Sequence, residues 1–106
     1  PVFDIERFDR MTEALDTAGI TIPIFVGILP LVSARNAEFL HNEVPGITLT
    51  DEARRRMREA GTHGRQEGIV MAQELLTQLR PMAEGVYLMP SFGRYEVAAE
   101  VISILD

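Results

Sequence analysis

Pro23-Ile24-Phe25-Val26-Gly27-Ile28-Leu29-Pro30 is the stretch that decides the fold. Residues 24–29 are apolar almost without a break and rich in β-branched types. Such a run predicts a strand covered on both faces, as in a parallel sheet with helices outside it. Pro23 stands near the start, where its missing N–H is tolerated, and Pro30 ends the strand.

Working outward, Val2-Phe3 reads as the end of an earlier strand. A helix is expected over 5–18, because Ile5, Phe8, Met11, Leu15 and Ala18 recur at three- and four-residue spacing. Asp4 is a suitable N-cap, Glu6 adds negative charge to the first turn, and Gly19 stops the helix. Downstream, Ser33 caps a helix over 34–41 with Ala37 and Leu40 inward, and Pro45-Gly46 signals a turn. Thr50 caps a helix with an acidic first turn that runs to residue 60. Gly61-Thr62-His63-Gly64 interrupts it before a second helix over 65–79, whose buried stripe is Ile69, Ala72, Leu76 and Leu79 with Leu75 beside it. Pro81 and Gly85 end this element. Val86 to Met89 forms a short strand stopped by Pro90, and Ser91-Phe92-Gly93 makes a turn. A last helix over 94–105 is expected to turn Tyr95, Ala98, Val101, Ile102 and Leu105 inward.

Strand end, helix, strand, helices, strand, helix is the alternation of a parallel sheet with crossover helices. Two or three parallel strands make a poor free-standing domain, because their edges stay unpaired and their core is small. The expected fold class is therefore α/β, a C-terminal fragment of a TIM (β/α)8 barrel, with the whole of 1–106 as an incomplete domain. A full barrel takes about 250 residues. A small free-standing α/β module is the alternative.

Composition narrows the chemistry. With 46% hydrophobic and 25% charged residues the chain is of ordinary globular make-up. The absence of cysteine removes disulfides, thiolate nucleophiles and cysteine-ligated zinc, and fits a cytoplasmic location. All ten basic residues are arginine, so no Schiff-base or phosphate-loop lysine is available in this chain. A net charge of −6 argues against nucleic acid as a partner, and no run is long enough for a membrane span. Arg54-Arg55-Arg56-Met57-Arg58, flanked by Asp51, Glu52 and Glu59, reads as a solvated, ion-paired helix face. His41 and His63 lack partners at metal-ligand spacing, and His41-Asn42-Glu43 reads as a polar stretch that stabilises local structure. In a barrel, working residues would lie at the carboxyl ends of strands: Phe3-Asp4, residues 27–36 and residues 89–95. Asp4 is read first as a cap, Leu40 as core, and Gly27 as a point of close approach by a ligand or a side chain.

Several of these strings resemble one family. Pro23 to Leu31 resembles the "PIxxGILP" strand of the flavin-dependent methylenetetrahydrofolate reductases, and Val86-Tyr87-Leu88-Met89-Pro90 stands where that family has its last barrel strand. Phe39 to Ile47, with His41-Asn42-Glu43-Val44-Pro45-Gly46, is similar to the subgroup fused behind a homocysteine S-methyltransferase module. The resemblance implies FAD as cofactor, NAD(P)H as co-substrate and 5,10-methylenetetrahydrofolate as the folate partner. It implies that Asn36 and Leu40 line the substrate area, where the family has a glutamine and an aromatic residue, and that Leu88 and Met89 on the last strand, with Arg94 after it, contact substrate. It assigns no catalytic residue to this chain and leaves the flavin cradle to earlier strands. The competing expectation is a non-catalytic module that self-associates into a homo-oligomer through its strand edges.

Overall fold

The computed structural model describes residues 1–90 and 94–105. Helix α1 (Ile5–Thr17) is followed by strand β1 (Phe25–Ile28), then α2 (Ala34–Glu43), α3 (Asp51–Ala60) and α4 (Gly64–Leu79), strand β2 (Gly85–Leu88) and α5 (Tyr95–Ile102). The chain is mixed α/β, and β1 and β2 pair in parallel with Gly27 opposite Tyr87 and Ile28 opposite Leu88. β2 begins one residue earlier than the sequence suggests. The turn expected at Ser91-Phe92-Gly93 lies outside the described residues.

The helix starts follow the side-chain chemistry that the sequence announces. Asp4 accepts hydrogen bonds from the Glu6 and Arg7 N–H groups at 3.1 and 3.3 Å. Ser33 accepts from Asn36 at 2.9 Å, and Thr50 from Ala53 at 3.1 Å. Each bond satisfies an amide that a first turn leaves without an intrahelical partner. Gly19 supplies the positive φ of 73° that lets the chain turn back after α1. Gly61 to His63 forms a short 3₁₀ turn, so the interruption between α3 and α4 is tight.

Two apolar clusters hold the elements. In the first, Val26 and Ile28 of β1 pack with Phe8 of α1, Ile69, Ala72, Leu76 and Leu79 of α4, and Val97 and Val101 of α5. In the second, Leu31, Ala37, Leu40, Leu49 and Met57 join α2 and α3 to the segment after β1. Burying a leucine or isoleucine of this kind contributes about 1.5–3 kcal/mol. The two clusters meet at α4, whose Gly68 approaches the backbone of Leu31 so closely that an added Cβ would overlap its carbonyl oxygen and lie 2.6 Å from its carbonyl carbon.

Three expectations need correction. β1 is covered by helices on one face only, because α1, α4 and α5 pack against Val26 and Ile28 while Phe25, on the alternate face, is 65% exposed. On α1 only Phe8 of the expected stripe is buried; Ile5 and Leu15 are half-buried and Met11 and Ala18 exposed, because the helix meets the core through its first turns. On α5 the inward pair is Val97 and Val101 with Ala98 half-buried, and Tyr95, Ile102 and Leu105 are exposed. Tyr95 and Ile102 flank the Val97–Val101 stripe that packs on α4, and Leu105 lies in a 3₁₀ turn over Ser103–Leu105, whose three residues per turn shift its angular phase.

Val2 is not in a strand by hydrogen-bond pattern, yet its N–H donates to the Gly27 carbonyl at 2.9 Å. The Ile24 and Ile28 carbonyls point the other way and accept from Glu84 and Met89, each at 2.9 Å. Val2 therefore occupies the edge of β1 opposite β2, and the order across the sheet is the order along the chain.

Candidate functional site

The sheet face that carries no helix is the most distinctive surface of the protein. Register and alternation put Phe25 and Gly27 of β1 beside Gly85 and Tyr87 of β2, with Met89 following on the same face. Tyr87 is 53% exposed, and none of these five residues is charged. The glycines explain the relief of the face. A Cβ on Gly85 would meet the Phe25 ring at 2.6 Å, and one on Gly27 would meet the Tyr87 ring at 2.8 Å and the Met89 methyl at 2.9 Å. Each aromatic ring thus lies across the glycine of the neighbouring strand and shields its backbone, which makes a low, apolar surface. The close approach anticipated at Gly27 is made by side chains of the chain itself.

The residues expected to contact substrate are only partly brought together. Leu88 points to the helix side and packs against the first core cluster, whereas Met89 lies on the bare face over Gly27. Arg94 is exposed at the start of α5, where its carbonyl accepts from Val97 at 3.1 Å. Leu40 is buried in the second cluster and presents no free surface of note. Asn36 is half-buried: its Oδ1 accepts from the Val32 N–H at 3.2 Å while its own N–H donates to Ser33. Those two bonds order the chain as it leaves β1 and enters α2, as a capping box does, except that the Asn36 side chain reaches the Val32 N–H, one residue before the cap. The Ser33-x-x-Asn36 spacing was the sequence signal for it. His41 also acts locally, its Nδ1 accepting from the Leu49 N–H at 3.1 Å.

The arginine run is ion-paired, but its pairs join helices as well as lie along one. Arg54 makes two hydrogen bonds to Glu38 of α2, at 3.0 and 2.7 Å. Arg56 bridges Glu67 and Glu74 of α4, at 2.8 and 2.9 Å. Arg55 pairs with Glu59 within α3 at 2.8 Å. Burial opposes the charge on Arg56, yet the bonds from Glu74 and Glu67 outweigh it and hold the guanidinium above its ordinary pKa. The hydrogen bonds from Arg54 hold the Glu38 carboxyl below the usual carboxylate range. A carboxyl depressed on folding adds stability above its unfolded pKa, and loses it as pH falls through the folded one. Glu38→Gln is therefore expected to lower stability at neutral pH, with the two unfolding curves converging as pH drops below the usual carboxylate range. Urea titrations at a series of pH values check this; a gap that stays constant with pH would contradict it.

One further concavity opens at the carboxyl end of β1, between the first turns of α1 and α3 and the middle of α4, with a volume of about 460 Å³. None of the five expected substrate-contacting residues lines it. Among the described residues no cluster of three or more histidine, aspartate or glutamate side chains is arranged to hold a metal ion, and no helix is long and apolar enough to cross a membrane. No protein-family model matches the chain, and neither curated proteins nor solved structures include a significant match to it.

Proposed function

We propose that this chain forms the last βα units of a TIM (β/α)8 barrel, and that the barrel belongs to a flavin-dependent reductase of 5,10-methylenetetrahydrofolate. The observation that carries the barrel reading is the one-sided helix layer. α1, α4 and α5 all pack on the face of Val26 and Ile28, and the Val2 segment, β1 and β2 lie side by side in chain order. A doubly wound sheet places helices on both faces and reverses its strand order, whereas a barrel keeps every helix outside and advances one strand at a time. The bare face of Phe25, Gly27, Tyr87 and Met89 is then the inner wall, completed by side chains from other strands. The assignment to a folate reductase rests on the resemblance of the Gly27-Ile28-Leu29-Pro30 and His41-to-Ile47 strings.

The residues present fit a wall for FAD and not its cradle. Tyr87 and Met89, toward the carboxyl end of the sheet, offer apolar and aromatic surface suited to a planar ring system, while the donors for a pyrophosphate would come from earlier strands. When bound, the flavin would supply the redox chemistry between NAD(P)H and the folate. This chain's part is orientation. The Asn36–Val32 and Asn36–Ser33 bonds fix the turn after β1, and the exposed Arg94 at the head of α5 would attract a carboxylate of the folate tail.

Two half-reactions on the protein that carries this chain are the test. FAD should be retained through gel filtration, lose its colour anaerobically with NAD(P)H, and regain it on addition of 5,10-methylenetetrahydrofolate. A colourless protein that consumes no NAD(P)H would end the reductase reading. The barrel reading would survive that result. A second reading, an autonomous module that self-associates, draws on the outer edge of β2, which pairs with no other strand among the described residues. Sedimentation of the 106-residue chain as a monomer with cooperative unfolding would count against it.

A further inference from the structure

We propose that His41 works as a pH-operated latch: the neutral imidazole holds the segment 44–49 onto α2, and the protonated ring releases it. The segment joins α2 to α3 through a turn at Pro45-Gly46, with Gly46 at a positive φ of 85° and the Ile47 N–H donating to the Val44 carbonyl at 3.3 Å. That bond lies within the segment. Among the described residues, the bond that ties residues 45–49 back to a helix is the one from the Leu49 N–H to His41 Nδ1, at 3.1 Å. Leu49 is 2% exposed and belongs to the second cluster with Leu40 and Met57, and Val44 and Ile47 pack against that cluster. A side chain of the type that titrates near neutral pH, rather than a backbone carbonyl, thus accepts the bond from a buried residue.

The direction follows from the chemistry of the ring. A backbone amide only donates, so Nδ1 presents its lone pair and the proton of the neutral ring sits on Nε2. Protonation puts a hydrogen on Nδ1 and sets two donors against each other. The Leu49 N–H then loses its acceptor, which is unfavourable until the segment opens to water. The latch is closed above the range in which imidazole binds its proton and opens as pH falls through that range. On α2, Glu38 stands one turn before His41 and Glu43 two residues after it; on α3, Asp51, Arg54 and Arg58 stand at the contact with α2. Glu38 is engaged by Arg54 at 2.7 Å and Arg58 at 3.6 Å, Asp51 lies 3.8 Å from Arg54 in full exposure, and Glu43 is exposed. These carboxylates are paired with arginine or screened by solvent, and the amino end of α3 beside Leu49 opposes a positive ring, so the lost hydrogen bond sets the sign. Thr50, the next residue, caps α3 and with Glu52 and Ala53 lines the concavity at the carboxyl end of β1. Acidification therefore loosens one wall of that concavity. The device is independent of the barrel and folate readings.

Amide hydrogen exchange of the chain, followed in ¹H–¹⁵N spectra and corrected for the intrinsic pH dependence of exchange, reads the latch. Between about pH 8 and about pH 5 the protection of Leu49 is expected to fall about tenfold, while Ala72 in the first cluster keeps its protection. His41→Asn supplies an amide oxygen as a non-titrating acceptor, so Leu49 should stay protected at both pH values. His41→Leu should leave it poorly protected at both. A Leu49 protection that changes no more than that of Ala72 would overturn the proposal. So would a pH dependence retained in His41→Asn, which would assign the effect to another group such as Glu38, Asp51 or His63. The wild-type ring provides a check that needs no variant: at about pH 8 its ¹⁵N signals should place the proton on Nε2, and a proton on Nδ1 would rule the latch out.

Discussion

Replacing Gly68 with alanine is expected to cost about 3 kcal/mol or more of folding stability, against the usual direction of such a change within a helix. Glycine inside a helix is normally worse than alanine by about 1 kcal/mol, so on α4 taken alone the substitution would help. The packing reverses the sign. The new methyl would overlap the Leu31 carbonyl oxygen and sit 2.6 Å from its carbon, and both belong to the backbone. No rotamer change relieves such an overlap; α4 must move away from the segment after β1. Gly64, one turn earlier, meets the same segment: a methyl added there would lie 2.8 Å from the Val32 carbonyl oxygen, so the two glycines form one seat. Moving α4 pulls Met71 off the second cluster and lifts Ala72 and Leu76 from the first. Val70→Ala on the exposed side of the same helix is the control, with an expected effect within about 0.5 kcal/mol. Thermal unfolding followed by circular dichroism separates the two variants. A Gly68→Ala protein as stable as the Val70→Ala protein would show that the helix does not seat as described.

Tyr87→Arg is the second large effect, and it depends on context. In the 106-residue chain Tyr87 is 53% exposed, and the arginine stem can lie across Gly27 much as the ring does, so the change should cost less than about 1 kcal/mol. In the protein that carries the chain, the barrel reading turns the same position into a closed interior. An unpaired guanidinium there should cost about 3–5 kcal/mol, seen as loss of soluble expression or of bound flavin. Measured in both contexts, the difference between the costs reports what covers the face. Equal small costs would mean that nothing does.

Much of the local structure was legible because single side chains specify it. Asp4, Ser33 and Thr50 announce three helix starts, and each makes the expected bond. The stripe Ile69, Ala72, Leu76 and Leu79 is buried as its spacing requires. What the sequence hid depends on how elements meet. An unbroken apolar strand says that both faces avoid water in some setting, and not which face a helix covers; hence Phe25 and Val26, adjacent and both apolar, have opposite fates. On α5 the expected stripe of Tyr95, Ala98, Val101, Ile102 and Leu105 passes over Val97, and contact with α4 brings Val97 in beside Val101. The candidate site was less legible still. Leu40 and Asn36 are engaged in packing and capping, and the concavity at the carboxyl end of β1 draws on α1, β1, α3 and α4, a juxtaposition that no local pattern encodes.

If the bare face of the sheet is an inner wall, hydroxyl-radical footprinting of Phe25 and Tyr87 shows it most directly. In the isolated chain both rings should oxidise readily, as their exposure of 65% and 53% requires. In the protein that carries the chain, both should be strongly protected, while Tyr95, 75% exposed on α5, keeps its rate in both. Unchanged oxidation of Phe25 and Tyr87 in the larger protein would contradict the inner-wall reading.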